Sequence, residues 1–204
     1  HLPDVFIIRP VFAGGRFAAM TAAIVHQVDI GGRSAGGNST LNTEIYAEGL
    51  RLPLMKLYER GQVNEAIFNV IRANVRVPTK VIGDIRAQLA ACLRGERDYL
   101  ELVKRYGFDN LARIQEQLLD TSEKVARQTI QAIPDGTYEF EDYLDGDSID
   151  PEPVRLRVAL TIAGDEVIVD CAGSSPQVRG AINSTYSVTK SMVYTALRCL
   201  MPSH

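Results

Sequence analysis

The N-terminal fold is decided by residues 1–29, which read HLPDVFIIRPVFAGGRFAAMTAAIVHQVD. Two apolar runs rich in β-branched residues, 5–12 and 16–28, flank an Ala-Gly-Gly segment. Runs of this kind around a Gly-containing loop predict a strand–turn–strand hairpin. Because a strand rises about 3.3 Å per residue, a turn near residue 14 brings residue 26 back level with the first few residues.

The same stretch carries two His-x-x-Asp units, His1 with Asp4 and His26 with Asp29, in a chain with only three histidines. Two imidazoles and a carboxylate are a usual ligand set for a divalent transition metal, with positions left open for catalysis. The bend at Pro3 lets His1 and Asp4 face one point. The hairpin therefore predicts His1, Asp4 and His26 as ligands, with Asp29 outside the ligand set and orienting an imidazole. The alternative is two surface histidines beside turn aspartates.

Composition limits the function classes. The 204 residues carry a net charge of -3, which offers no basic field for nucleic acid or for an anionic membrane. No apolar run approaches the roughly 20 residues of a membrane helix. Three scattered cysteines lack metal-ligand spacing and favour a reducing compartment, the cytoplasm. A chain that opens on His and closes on LRCLMPSH reads as an internal piece of a longer polypeptide.

Further along, the pattern predicts an α+β fold. Residues 64–75 have the periodicity of a helix, and residues 79–133 predict a long helical hairpin that turns at Gly107. From Thr137 the period changes to 2, which predicts a small antiparallel sheet, followed by a buried C-terminal helix. The predicted parts of this one fragment are a metal-site hairpin with a Gly-rich loop (1–58), a helical region (59–135) and a sheet plus helix (136–204).

The Gly-rich segment GGRSAGGNS resembles a phosphate-binding loop, but Asn38 stands where that loop needs lysine. We therefore predict no nucleotide site here, and expect the glycines to let the backbone pass close to a ligand or another chain. After it, Glu44 and Glu48 are spaced one helical turn apart. They are candidates for proton transfer, or simply a solvated face.

A last polar segment, DCAGSSPQVRGAIN, follows a predicted strand. It is either a plain strand-to-helix connection or a place where Ser174, Gln177 and Asn183 offer hydrogen bonds at a substrate cleft.

Six strings occur together and in order: HLPDVFIIRPVF, HQVDIGG, TEIYAEGLRLP, GDIRAQLAA, PDGTYEFEDYLD and DCAGSSPQVRGAIN. Over nearly its whole length the chain resembles the hydantoinase B/oxoprolinase family, which includes the acetone carboxylase alpha subunit. In that branch a metal is held at the positions that match His1, Asp4 and His26. The chain departs from the family pattern in lacking an NDPYxGG-type segment before residue 1 and in carrying Gln27 where many members have a second histidine.

The resemblance implies a subunit that works beside a hydantoinase A-type partner in a hetero-oligomer. That partner would bind ATP and magnesium and phosphorylate a carbonyl oxygen of a small-molecule substrate, so this chain would bind neither ATP nor magnesium. The expected activity is ATP-dependent hydrolysis of a cyclic amide (a hydantoin, 5-oxoproline or a lactam), with Zn, Mn or Fe as the metal. The alternatives are the large subunit of an acetone- or acetophenone-type ketone carboxylase and a non-catalytic interaction subunit.

Overall fold

The structure, a computed structural model, describes residues 1–201. The chain divides into two compact units, His1–Leu111 and Ala112–His204. The predicted α+β class is confirmed by the order of elements, in which a β-hairpin, three helices and an antiparallel sheet precede a final helix.

The first unit begins with the predicted hairpin, formed by β1 (Asp4–Ala13) and β2 (Arg16–His26). A short 3₁₀ helix, Ile45–Ala47, follows the Gly-rich segment. A two-residue ladder of β3 (Tyr58–Glu59) and β4 (Gln62–Val63) then leads into the helices, which are α1 (Glu65–Asn74) and α2 (Pro78–Tyr106).

The core of this unit lies between one face of the hairpin and α2. Side chains alternate along a strand, so Ile7 and Val11 of β1 point inward and are buried. In α2, positions 81, 85, 88 and 92 recur at 4-3-4 spacing and form its buried stripe. Phe68 and Ile71 of α1 complete the cluster. The hairpin thus has one face fixed by packing and one face open.

The second unit contains most of α3 (Phe108–Gln131), which starts directly after Gly107. Its sheet has the order β5-β6-β7, from β5 (Gly136–Leu144), β6 (Val154–Ala163) and β7 (Glu166–Asp170), and all pairs are antiparallel as predicted. The final helix is α4 (Tyr186–Leu200).

The last helix differs from its predicted environment. The expectation of a buried C-terminal helix is wrong, because no described residue of α4 is buried and Met192 is 65% exposed. Apolar composition suggested burial there, but burial also needs a facing surface. The antiparallel packing of α2 and α3 as a hairpin stays a prediction. No helix within residues 1–201 is both long and apolar enough to cross a membrane.

Candidate functional site

The open end of the hairpin sets the geometry of the predicted metal ligands. Asp4 is the direct cross-strand partner of His26, which agrees with the predicted return of residue 26 to the level of the first few residues. Side chains that face each other in this way have Cβ atoms about 4.5–5.5 Å apart. The predicted bend before β1 is also present, since the Asp4 N–H donates to the His1 carbonyl at 3.3 Å. One end of the hairpin therefore carries all three side chains.

Glu48 approaches this end from outside the hairpin. Its Oε1 atom lies 3.8 Å from His1 Nδ1, and its Oε2 atom accepts a hydrogen bond from the Leu2 N–H at 3.2 Å. The Glu48 side chain is only 17% exposed. Glu44 precedes the 3₁₀ helix in extended conformation and is exposed. The two glutamates flank a single 3₁₀ turn, and of the two, Glu48 is the one with a structural contact to His1.

The Gly-rich segment holds Glu48 in place. A Cβ atom on Gly32 would lie 2.5 Å from the Ala47 carbonyl oxygen, and one on Gly37 would lie 2.6 Å from the Glu48 carbonyl oxygen. Both glycines also have positive φ, at 83° and 73°. The Arg33 N–H donates to the Ala47 carbonyl at 2.8 Å. The expectation that the glycines approach a ligand or another chain is corrected here, because they approach the chain's own residues 47–48.

Asp29 is engaged by the loop and by Arg76. Its carboxylate accepts bonds from the N–H groups of Gly31 (3.3 Å), Gly36 (3.2 Å) and Arg76 (2.6 Å), and from the Arg76 guanidinium at 2.8 Å. Burial raises the pKa of Asp29, but the Arg76 backbone and side-chain bonds and the two glycine bonds outweigh it and leave the pKa lowered. These partners give Asp29 a role in fixing the loop, and its orientation of an imidazole stays a prediction.

As a metal site, the hairpin end offers the right donors in pairs. The predicted ligands offer imidazole nitrogens and carboxylate oxygens, and these are donor atoms that Zn, Mn and Fe accept. Asp4 lies opposite His26, and His1 lies against Glu48. Within residues 1–201, however, no three His, Cys, Asp or Glu side chains are grouped closely enough to hold an ion. The set of His1, Asp4 and His26 therefore stays a prediction.

Beneath the predicted ligands lies an amide pair that was not predicted from the sequence. Gln88 of α2 donates from Nε2 to the carbonyls of Val5 (2.7 Å) and Ala23 (3.2 Å), one on each strand. Its Oε1 accepts from Gln27 Nε2 at 3.0 Å, and both glutamines are buried. The sequence does carry a sign of this pair, because Gln88 occupies a position in the otherwise apolar stripe of α2. A polar residue in that stripe needs buried partners.

The three predicted substrate-binding residues lie in the second unit. The Ser174 hydroxyl accepts from the Arg157 N–H at 2.9 Å and donates to the Arg157 carbonyl at 3.0 Å. The Asn183 side chain bonds to Val178 and to the Gly180 carbonyl, each at 2.9 Å. Gln177 is exposed. Ser174 and Asn183 thus brace the loop internally, and the substrate role of all three stays a prediction.

A second buried carboxylate, also not predicted from the sequence, organises this loop region. Asp147 is 1% exposed and accepts bonds from the N–H groups of Ile149 (2.8 Å), Asp150 (2.6 Å) and Gly180 (2.8 Å). These backbone bonds, that from Asp150 first, lower the pKa of Asp147 to about 2. Its charge is balanced by peptide dipoles, so it is a structural anchor that holds residues 147–150 against Gly180.

Comparison with known proteins agrees with this architecture. A family model described as hydantoinase B/oxoprolinase matches residues 1–204. A protein of Pseudomonas sp. (strain NS671), named as the B-type subunit of a D-/L-hydantoinase, is 36% identical over 183 residues, 87% of this chain and 31% of its own length. The beta chain of caprolactamase from Pseudomonas jessenii is 35% identical over 197 residues, 97% of this chain and 34% of its own.

A solved structure shows the same family resemblance. The crystal structure of the ATP-dependent caprolactamase from Pseudomonas jessenii superposes with a TM-score of 0.89 at 36% identity, covering 98% of this chain and 34% of that chain. The chain thus spans about a third of the length of the relatives it matches. With a family model that matches residues 1–204 and a solved relative that covers 98% of this chain, the chain belongs to the hydantoinase B/oxoprolinase family.

Proposed function

We propose that this chain is part of the B-type subunit of an ATP-dependent cyclic amide hydrolase, and that it binds the catalytic metal. The observation that carries the proposal is the cross-strand pairing of Asp4 with His26, beside the turn that bears His1. Relatives named as components of a hydantoinase and of a caprolactamase support the reaction class. ATP and its magnesium would be bound by an A-type partner in the same hetero-oligomer, in the cytoplasm.

His1, Asp4 and His26 would hold a divalent ion, which would act as a Lewis acid on the ring carbonyl. After the partner has phosphorylated the ring carbonyl oxygen, water would add to the ring carbon, the carbon–nitrogen bond would break to leave an acyl phosphate, and a second water would release inorganic phosphate. One proton must therefore leave the first water and one must reach the leaving nitrogen. Glu48 is the favoured carrier of the first proton, because it lies at the His1 end of the hairpin with its carboxylate held by the Leu2 N–H. Glu44 is the second candidate.

The test uses the full-length subunit with its A-type partner. We expect ATP-dependent ring opening of a hydantoin or lactam without added bicarbonate. His26→Ala and Asp4→Asn should lose both bound metal and turnover, whereas Asp98→Asn, on the exposed side of α2, should retain both.

Three outcomes would count against the proposal. Strict dependence on bicarbonate would identify a ketone carboxylase subunit instead. Full turnover in His26→Ala would identify a non-catalytic interaction subunit. Metal retained at the wild-type level in both ligand variants would exclude the proposed ligand set.

A further inference from the structure

The open face of the hairpin is apolar and continuous with the Asp4–His26 pair. Ile7 and Ala23 pack into the core, and each lies three residues along its strand from Asp4 or His26. Because side chains alternate between the two faces of a strand, Asp4 and His26 point away from α2. Phe6 and Ile24 are two residues further along on that same outward face.

Register makes Phe6 and Ile24 a facing pair themselves. Their side chains are 63% and 52% exposed. Two residues along a strand span about 6.6 Å, so this pair is the next row of side chains beside Asp4 and His26. A small ring with its carbonyl at Asp4 and His26 would contact this row with its remaining atoms.

The side chains of this row should favour some cyclic amides over others. Phe6, Ile24 and the following facing pair, Ile8 and Ala22, offer hydrocarbon and no hydrogen-bonding side-chain atom. An apolar substituent gains about 25 cal/mol per Å² that it buries there. A carboxylate on the ring would instead lose water without gaining a partner.

We propose that Phe6 and Ile24 form the subsite for the hydrocarbon part of the substrate, so that the enzyme prefers cyclic amides with apolar rings or substituents over rings that carry a carboxylate. This inference rests on the proposed function, since it assumes that the reacting carbonyl is held at Asp4 and His26. It assigns specificity to two exposed side chains that contact the substrate away from the reacting bond.

The test compares two hydantoins of similar shape, one with an isobutyl group and one with a carboxymethyl group at ring carbon 5. The full-length subunit with its partner should open the isobutyl compound with at least a 100-fold higher kcat/KM. Ile24→Thr and Phe6→Tyr should each lower that ratio at least tenfold and leave the metal content unchanged. Calorimetry without ATP should show at least tenfold weaker binding of the isobutyl compound to both variants.

Met20→Thr is the matched control. Met20 is 64% exposed on the same face but pairs with Pro10, six residues or about 20 Å along the strand from Asp4. It should keep the wild-type ratio within twofold.

The outcomes separate the two proposals. If the wild-type complex opens and binds neither of these hydantoins and opens no lactam, the proposed function fails and the subsite with it. If it opens the rings but Ile24→Thr and Phe6→Tyr keep the wild-type ratio, only the subsite is overturned. If neither variant assembles with the partner, the row is covered by protein rather than by substrate, and the subsite is again overturned.

Discussion

Replacing Asp29 with asparagine tests a buried polar contact of the first unit. The side chain is 4% exposed and accepts four hydrogen bonds, of which the two from Arg76, at 2.6 and 2.8 Å, are short. The substituted amide would lose the charge and turn an N–H₂ group toward N–H donors. A hydrogen bond to a charged group contributes about 1.5–3 kcal/mol, while the 45% exposed Arg76 guanidinium can be rehydrated. We expect Asp29→Asn to lower the free energy of unfolding by about 3 kcal/mol.

The assay is urea unfolding followed by far-ultraviolet circular dichroism, because the chain has no tryptophan. Asp98→Asn is the matched control, since Asp98 pairs with Arg94 on the exposed surface of α2, and it should leave stability unchanged. Because the pKa of Asp29 is lowered in the folded state, its contribution is complete above the ordinary value of 3.8 and is lost as pH falls through the folded pKa. The difference between wild type and variant should therefore be full at neutral pH and shrink below about pH 4.

A loss of less than about 1 kcal/mol at neutral pH would refute the anchoring role of Asp29. If Asp29→Asn kept its stability but weakened metal binding by the full-length protein, Asp29 would instead act by orienting an imidazole.

Three further predictions concern other parts of the chain. Gln88→Leu should destabilise the first unit by about 2–3 kcal/mol in urea unfolding, because it removes the donor to two strand carbonyls and leaves the buried Gln27 Nε2 without its acceptor, and equal stability would show that water replaces the amide. Gly83→Ala should stabilise α2 by about 0.5–1 kcal/mol, since the added Cβ meets open space. Gly180→Ala should destabilise the second unit by about 3 kcal/mol, since the added Cβ would overlap the Asp147 carbonyl, and thermal melts that rank the two variants in the opposite order would contradict both expectations. Acid titration of the second unit should show Asp147 contributing fully above pH 3.8 and losing its effect toward pH 2, and Asp147→Asn should abolish that dependence.

Regular periodicity made much of the fold predictable. The strand rise brought residue 26 back level with the first few residues, and in the structure His26 pairs with Asp4. The switch to period 2 after Thr137 located all three strands of the second sheet. The bulge between Val11 and Phe12 leaves Ala18 without a partner and shifts the register by one residue, so Asp4 pairs with His26 rather than with Val25. The strand rise alone could not give that exact partner.

Contacts between segments that are distant in the chain could not be predicted from the sequence pattern. Arg76 reaches Asp29 across 47 residues, and Glu48 reaches Leu2 across 46. No spacing rule connects such pairs, because each depends on how loops pack in three dimensions. The 4-residue spacing of Glu44 and Glu48 suggested a helical turn, but 3₁₀ geometry places such residues on different faces.

The backbone of residues 47–49 packs directly against the backbone of the Gly-rich segment, and this has a consequence for how the family could diversify. The path of the chain through residue 48 is set by the close approach of glycines and by two backbone hydrogen bonds, from the Arg33 N–H to the Ala47 carbonyl and from the Leu50 N–H to the Ile30 carbonyl. None of these depends on the side chain at position 48. A different amino acid there would be presented at the same point beside His1. Selection could thus exchange the acid for another group without rebuilding the scaffold, which makes position 48 a place where new chemistry can arise on an unchanged fold.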